Sequence, residues 1–210
     1  MSIAAPLPRA IVDVPVVAVI RAPRADAYEA IIAPLVEGGI RAVELTLTTP
    51  GTLEALPRLR ETLPRELALG VGTVRSVRDL TQAADHGADF IVSPHTDPAS
   101  IAAALEAGVP IIPGAATATE VHTALTAGAT AIKLFPASLV TPGIAKQLLG
   151  PFPELVFMPS GGVELADVPA WFAAGAVAVS AGGPLVGDTS DPDPRRLRTQ
   201  AERFVAAAQS

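Results

Sequence analysis

The 210-residue chain has no cysteine. Disulfides, thiolate nucleophiles and cysteine metal sites are excluded, and with them zinc fingers and cysteine hydrolases. Aromatic residues make up only 4% of the chain, and the formal net charge is −6 with no basic cluster. A nucleic-acid surface needs Lys/Arg stripes and stacking platforms, so small molecules are the expected partners. Long hydrophobic runs are missing too. The N-terminal stretch "MSIAAPLPRAIVDVP" is mildly apolar, but it lacks a basic start and is interrupted by Pro6, Pro8 and Asp13. Neither a signal peptide nor a membrane span is expected, hence a cytoplasmic protein. Lysine is scarce as well: of 15 basic residues only Lys133 and Lys146 are lysines. Lys133 stands inside the apolar run "TAIKLFPAS", 130–138, where a charge is hard to keep.

What is there is apolar and regularly punctuated. With 50% hydrophobic residues the chain can bury a substantial core, and a single domain over 1–210 is expected. The 21 prolines and 17 glycines are spread as turn signals and do not gather into a linker. Eight short apolar or β-branched runs alternate with alanine-rich amphipathic segments: "VPVVAVIR" (14–21), "IRAVELTL" (40–47), "LALGVGTV" (67–74), "ADFIVSP" (88–94), "VPIIPG" (109–114), "TAIKLFP" (130–136), "LVFMPSG" (155–161) and "AVAVSAG" (176–182). Helix starts are expected at Thr49, Asp97, Thr117, Thr141 and Asp191, from a capping side chain with proline or glutamate behind it. Glycines such as Gly87, Gly108, Gly128 and Gly175 mark helix ends. Strands and helices in strict alternation predict an α/β fold, a (β/α)8 TIM barrel with a short N-terminal segment before the first strand. The alternative is an open doubly wound sheet, but the first strand is not followed by a GxGxxG turn.

In a barrel, active sites sit where the strands end. The second run carries Glu44, Thr46 and Thr48 on one face and apolar residues on the other. The apolar face must meet the helices, which turns Glu44 inward. The same alternation in the sixth run turns Lys133 and Phe135 inward. A lysine and a glutamate then share one cavity. Such a pair is either a structural ion pair, weak evidence for stability because desolvation offsets the attraction, or catalytic. Burial disfavours a charged amine, and a neutral amine attacks carbonyls to form a Schiff base while a nearby carboxylate moves protons. The glycine pairs in "PSGGV" (159–163) and "SAGGPL" (180–185) follow the seventh and eighth runs. Each is either a tight turn or a phosphate cradle of backbone N–H groups. Arg21, Thr73, Ser93, Pro94 and His95 fall at or just past other run ends, while His86 and His122 fall inside helix patterns and make no metal site.

The segments "VAVIR", "GGIRAVELTL", "GVGTV", "VSP", "IPGAATATE", "AIKLFPAS" and "PSGGV", taken in this order, resemble the 2-keto-3-deoxy-6-phosphogluconate (KDPG) aldolases. The similar 2-dehydro-3-deoxy-6-phosphogalactonate and 4-hydroxy-2-oxoglutarate aldolases belong to the same group, and the resemblance spans about residues 14–205. It implies a class I aldolase, without metal or other cofactor, that cleaves a phosphorylated 2-keto-3-deoxy sugar acid to pyruvate and D-glyceraldehyde 3-phosphate. Lys133 would carry the imine and Glu44 would be the general acid/base. Thr73, Pro94 and Phe135 would line the pyruvate pocket. Arg21, Ser160, Gly161, Gly162, Gly182 and Gly183 would lie toward the phosphate, and the molecule would be a homotrimer. Two positions depart from the pattern. Thr48, expected at the substrate, stands where many members have arginine, and Pro184 stands where they have serine, which removes a hydroxyl and a backbone N–H together. The same barrel and phosphate site also suit a sugar-phosphate isomerase or synthase, or a sensor that binds without turnover.

Overall fold

In the computed structural model, which describes residues 4–209, seven of the eight apolar runs contain one strand shorter than the run at both ends, and the fifth holds one short strand and the start of another, which runs on to Ala115. The first half of the chain forms α1 (Arg9–Asp13), β1 (Val16–Ile20), α2 (Tyr28–Glu37), β2 (Ala42–Thr46), α3 (Thr52–Thr62), β3 (Ala68–Gly72), α4 (Val77–Asp85), β4 (Phe90–Val92) and α5 (Pro98–Ala107). The second half forms β5 (Ile111–Ile112), β6 (Gly114–Ala115), α6 (Ala118–Ala127), β7 (Ile132–Leu134), α7 (Pro142–Leu148), β8 (Phe157–Pro159), α8 (Val168–Ala173), β9 (Val179–Ala181), α9 (Gly183–Val186) and α10 (Pro194–Ala208). Among the described residues no helix is long and apolar enough to cross a membrane.

Three helix starts follow the sequence signals. Asp97 accepts from the N–H groups of Ala99 and Ser100 at the head of α5, Thr117 and Glu120 cap α6 reciprocally, and Thr141 caps α7. Such caps satisfy N–H groups that the first helical turn leaves unpaired. Two starts differ. The α3 helix begins three residues after Thr49, behind Gly51 in a left-handed conformation with φ 84°, and the Thr49 hydroxyl instead accepts from the Ala22 N–H. In α10 the second Asp-Pro pair takes the role, so Asp193 and not Asp191 is the cap.

All strand pairs are parallel. Six strands run in the order β5-β4-β3-β2-β1-β9 and three in the order β6-β7-β8. The fifth run is split at Pro113: β5 pairs with β4 and β6 with β7, and the backbone bonds Thr130 N–H to Ile111 O and Lys133 N–H to Pro113 O tie the whole run to β7. At the other seam the Val177 N–H donates to Phe157 O and Ser160 bridges Ser180 in parallel. The result is a parallel sheet curled upon itself with helices outside.

Period-two alternation sorts the side chains into two cores. Val16, Ala18, Ile20, Val43 and Leu45 point outward to the helices. Val17, Ala42, Ala68, Phe90, Val92, Ile112 and Met158 fill the inside, joined by Ile11 from α1. Several of these inner residues come from strand starts, so α1 and this cluster plug the end of the curl where strands begin. Truncating a plug residue such as Phe90 to alanine is expected to cost about 3–5 kcal/mol. The end where strands finish stays open.

Candidate active site

At that open end lies a cavity of about 390 Å³. Glu44 reaches it from β2 and Lys133 from β7, with the residues 1% and 7% exposed. The Lys133 Nζ stands 3.7 Å from Glu44 Oε1 and 5.1 Å from the centre of the Phe135 ring. At that separation the pair attracts electrostatically without a hydrogen bond. The second carboxylate oxygen, Oε2, is buried with no hydrogen-bond partner. The neighbouring strand makes the room. On β3 the inward positions are Gly70 and Gly72, paired in register with Glu44 and Thr46. A Cβ on Gly72 would overlap the Glu44 carboxylate, and one on Gly70 would overlap the Phe90 ring.

The other expected residues gather around this pair. Thr73, Pro94, Phe135, Arg21, Ser160, Gly161, Gly162, Gly182 and Gly183 all line the cavity, with Gly182 and Gly183 at the head of α9. Thr73 is the one non-glycine residue with positive φ among those described, at 60°. A β-branched side chain there costs on the order of 1–3 kcal/mol, and such strain gathers at functional sites. Gly161 and Gly162 also have positive φ, 81° and 90°, and a side chain on Gly161 would come within 2.7 Å of the Phe135 ring. Ser160 and Ser180 share a buried hydroxyl contact of 3.2 Å.

One expected residue fails to reach the cavity. Thr48 is exposed and does not line it, because the strand alternation ends at Thr46: the Thr49 N–H bonds Thr46 O in a turn that swings Thr48 outward. Its hydroxyl lies 3.0 Å from that of Thr46. His95 is exposed and also outside the cavity. Its loop is tied back by the Ser93 hydroxyl on His95 O and the Thr96 hydroxyl on Gly114 O. Conversely, the cavity includes Thr46, Gly187 and Thr189. Thr46 carries the same sequence signal as Glu44, since both lie on one face of β2. Gly187 and Thr189 lie past α9, where no periodicity points anywhere.

A buried amine beside a carboxylate with one free oxygen is poor structural cement. Both charges lose hydration, and an unpaired buried oxygen has the cost of desolvation with no return. The arrangement is suited to proton traffic: a nucleophile, and next to it a carboxylate with an oxygen left to give or take a proton. Among the described residues no cluster of three or more His, Asp or Glu could hold a metal ion.

A family model for KDPG and KHG aldolases matches residues 9–197. The chain belongs to that family. It is 41% identical over 132 residues to the 2-dehydro-3-deoxy-phosphogluconate aldolase of Treponema pallidum, a match that takes in 62% of each chain. It is 31% identical over 194 residues to the 2-dehydro-3-deoxy-6-phosphogalactonate aldolase of Escherichia coli, 92% of this chain and 94% of that one. Thus the match spans under two thirds of the first relative but nearly all of the second. The fold is that of the family's solved structures: the crystal structure of 2-keto-3-deoxy-6-phospho-gluconate aldolase from Zymomonas mobilis superposes with a TM-score of 0.86 at 27% identity, over 96% of this chain and 97% of that one.

Proposed function

We propose that this family member is a class I aldolase that cleaves 2-dehydro-3-deoxy-6-phosphogluconate to pyruvate and D-glyceraldehyde 3-phosphate. The observation that carries the reading is the buried Lys133–Glu44 pair, 3.7 Å apart at the bottom of the cavity. Lys133, as the free amine, adds to the C2 carbonyl. A proton from Glu44 lets the carbinolamine oxygen leave as water, and the iminium forms. The Glu44 carboxylate then takes the C4 hydroxyl proton, the C3–C4 bond breaks, and its electron pair moves into the iminium to give an enamine and free aldehyde. Glu44 returns a proton to C3, and water hydrolyses the iminium to pyruvate and the amine. The imine is the electron sink, so this sequence calls for no metal or organic cofactor.

The curled sheet is read here as a closed (β/α)8 barrel, which the hydrogen bonds at both seams support. The glycine pairs and Arg21 would take the phosphate, and a cytoplasmic homotrimer is the expected assembly. A second reading keeps the chemistry on the phosphogalactonate epimer, favoured by the Escherichia coli relative that matches 92% of the chain; 4-hydroxy-2-oxoglutarate is the third candidate substrate. Relative kcat/KM on these substrates separates the three. The mechanism itself is tested by borohydride reduction with pyruvate, which must leave one reduced pyruvyl group on Lys133. Glu44→Gln must slow turnover by about 10²–10⁴-fold and slow formation of that adduct less; equal loss of both would contradict the role of Glu44 in the bond-breaking step. No adduct in the unmodified protein points instead to an isomerase or synthase with Lys133 as an electrostatic group.

A further inference from the structure

Thr46 is 1% exposed and lines the cavity two residues beyond Glu44 on the same face of β2. Its hydroxyl lies 3.3 Å from Ile20 O and 3.0 Å from the hydroxyl of Thr48. A carbonyl can only accept, so the single Thr46 proton is directed to Ile20, and Thr48 must be the donor in the second contact. One lone pair on Thr46 Oγ remains uncommitted. The residue therefore offers the cavity an acceptor and no donor.

The frame behind it is built to hold that direction. The Thr52 hydroxyl donates to Thr46 O and Thr49 O, at 3.0 and 2.9 Å, and so accepts from the Tyr28 phenol at 2.6 Å. Burial pushes the Tyr28 phenol up and outweighs its hydrogen bonding with Thr49 and Thr52, which keeps it in the protonated, donating form. The Thr49 hydroxyl is fixed by the Ala22 N–H at 3.0 Å. The turn that ends β2 is thus pinned by hydroxyls from both sides.

Two strand residues span about 6.6 Å. If the imine carbon sits at Lys133 beside Glu44, an acceptor that far toward the mouth lies past the C3–C4 bond, beside the aldehyde half of the substrate. We propose that Thr46 recognises the hydroxyl next to the aldehyde carbon by accepting its hydrogen bond, and that Thr48 is the positioning residue that fixes the Thr46 hydroxyl as an acceptor. This rests on the aldolase reading. It gives the cavity a means to prefer 2-hydroxyaldehydes over aldehydes without that group, because a site built around one hydroxyl leaves a polar atom unpaired when the hydroxyl is missing.

The experiment runs the reaction in the synthetic direction, with pyruvate and either D-glyceraldehyde 3-phosphate or its 2-deoxy analogue, 3-phosphooxypropanal. The readout is the ratio of the two kcat/KM values. Thr46→Val, which keeps the shape and removes the oxygen, is expected to lower that ratio about tenfold, and Thr46→Ser to restore most of it. Thr48→Val is expected to lower it about threefold through KM for the hydroxyaldehyde, with kcat changed less. Borohydride reduction with pyruvate must still label Lys133 in every variant, which establishes a folded site. A ratio unchanged in Thr46→Val while the label forms overturns this assignment and leaves the aldolase reading standing. Loss of the label in the unmodified protein overturns both.

Discussion

The inner end of the cavity and its outer rim are made differently. Glu44, Thr46, Lys133 and the flanking Gly72 belong to strands, are almost wholly buried, and are placed by alternation and register. Arg21, Pro184, Gly187 and Thr189 lie outside the strands, and Arg21 is exposed. The rim is stitched by isolated contacts: the Thr189 hydroxyl on Arg21 O, 2.7 Å, the Arg196 guanidinium on Val186 O, 3.0 Å, and the Gln200 amide on Pro184 O, 3.4 Å. A bond-making centre needs its groups held to within fractions of an ångström, which a strand supplies. A handle for the far end of a substrate tolerates more play, and loops are where such handles diverge. The two regions should therefore respond differently to mutation, the inner one in kcat and the rim in KM.

The hardest break of the inner region is Lys133→Met. Turnover and borohydride labelling are both expected to vanish. Stability is expected to fall as well, by about 3–5 kcal/mol, because Glu44 is left buried without its counter-charge. The double variant Lys133→Met/Glu44→Leu should regain that stability and remain inactive. Chemical denaturation of the three proteins checks this. Recovery in the double variant marks the pair as a functional feature that the fold does not need, whereas a double variant as weak as the single would mean that the pair holds the sheet together.

A smaller change tests whether placement alone matters. Gly72→Ala adds one methyl in a strand whose backbone suits alanine, but that methyl would overlap the Glu44 carboxylate. Displacing the general base by about 1 Å should lower kcat on the order of 10²-fold. The pyruvate adduct at Lys133 should still form. Gly70→Ala is the matched control: its methyl meets the Phe90 ring instead, so its damage should appear in stability.

The same division explains what could be read from the sequence. Strand positions and the inward turn of Glu44 and Lys133 follow from period-two alternation, a local property of the chain. Thr46 shares that signal. Thr48 departs from the alternation because the Thr46–Thr49 turn ends it two residues earlier, and a turn without glycine or proline at its centre leaves little trace in sequence. The Thr49 cap failed for a related reason: Gly51 in the left-handed region sets where α3 begins. The segment carrying Gly187 and Thr189 is held by α10 side chains on Val186 O and Pro184 O and by the Arg21 carbonyl just past β1, and no local pattern encodes contacts between residues 168 positions apart.

Arg21 is the place where the rim can be separated from the centre most cleanly. It and Lys133 are the cationic side chains that line the cavity, and Lys133 is engaged at the inner end. If the phosphate end of the substrate is held at the rim, Arg21→Ala removes its one charged partner there. KM for the phosphorylated substrate should rise about tenfold to hundredfold, the range for a hydrogen bond to a charged group, while kcat falls much less. That pattern is the mark of binding shared equally by ground state and transition state. Because the guanidinium is exposed, its contribution is open to screening, and the Debye length shrinks from about 10 Å at 0.1 M salt to about 3 Å at 1 M. Added salt should therefore raise KM of the unmodified protein toward that of the variant and leave the variant nearly flat. A loss in kcat as large as the rise in KM would mean that Arg21 acts on the bond-making step, and the contrast between a rigid strand-borne centre and a loop-borne handle would not hold.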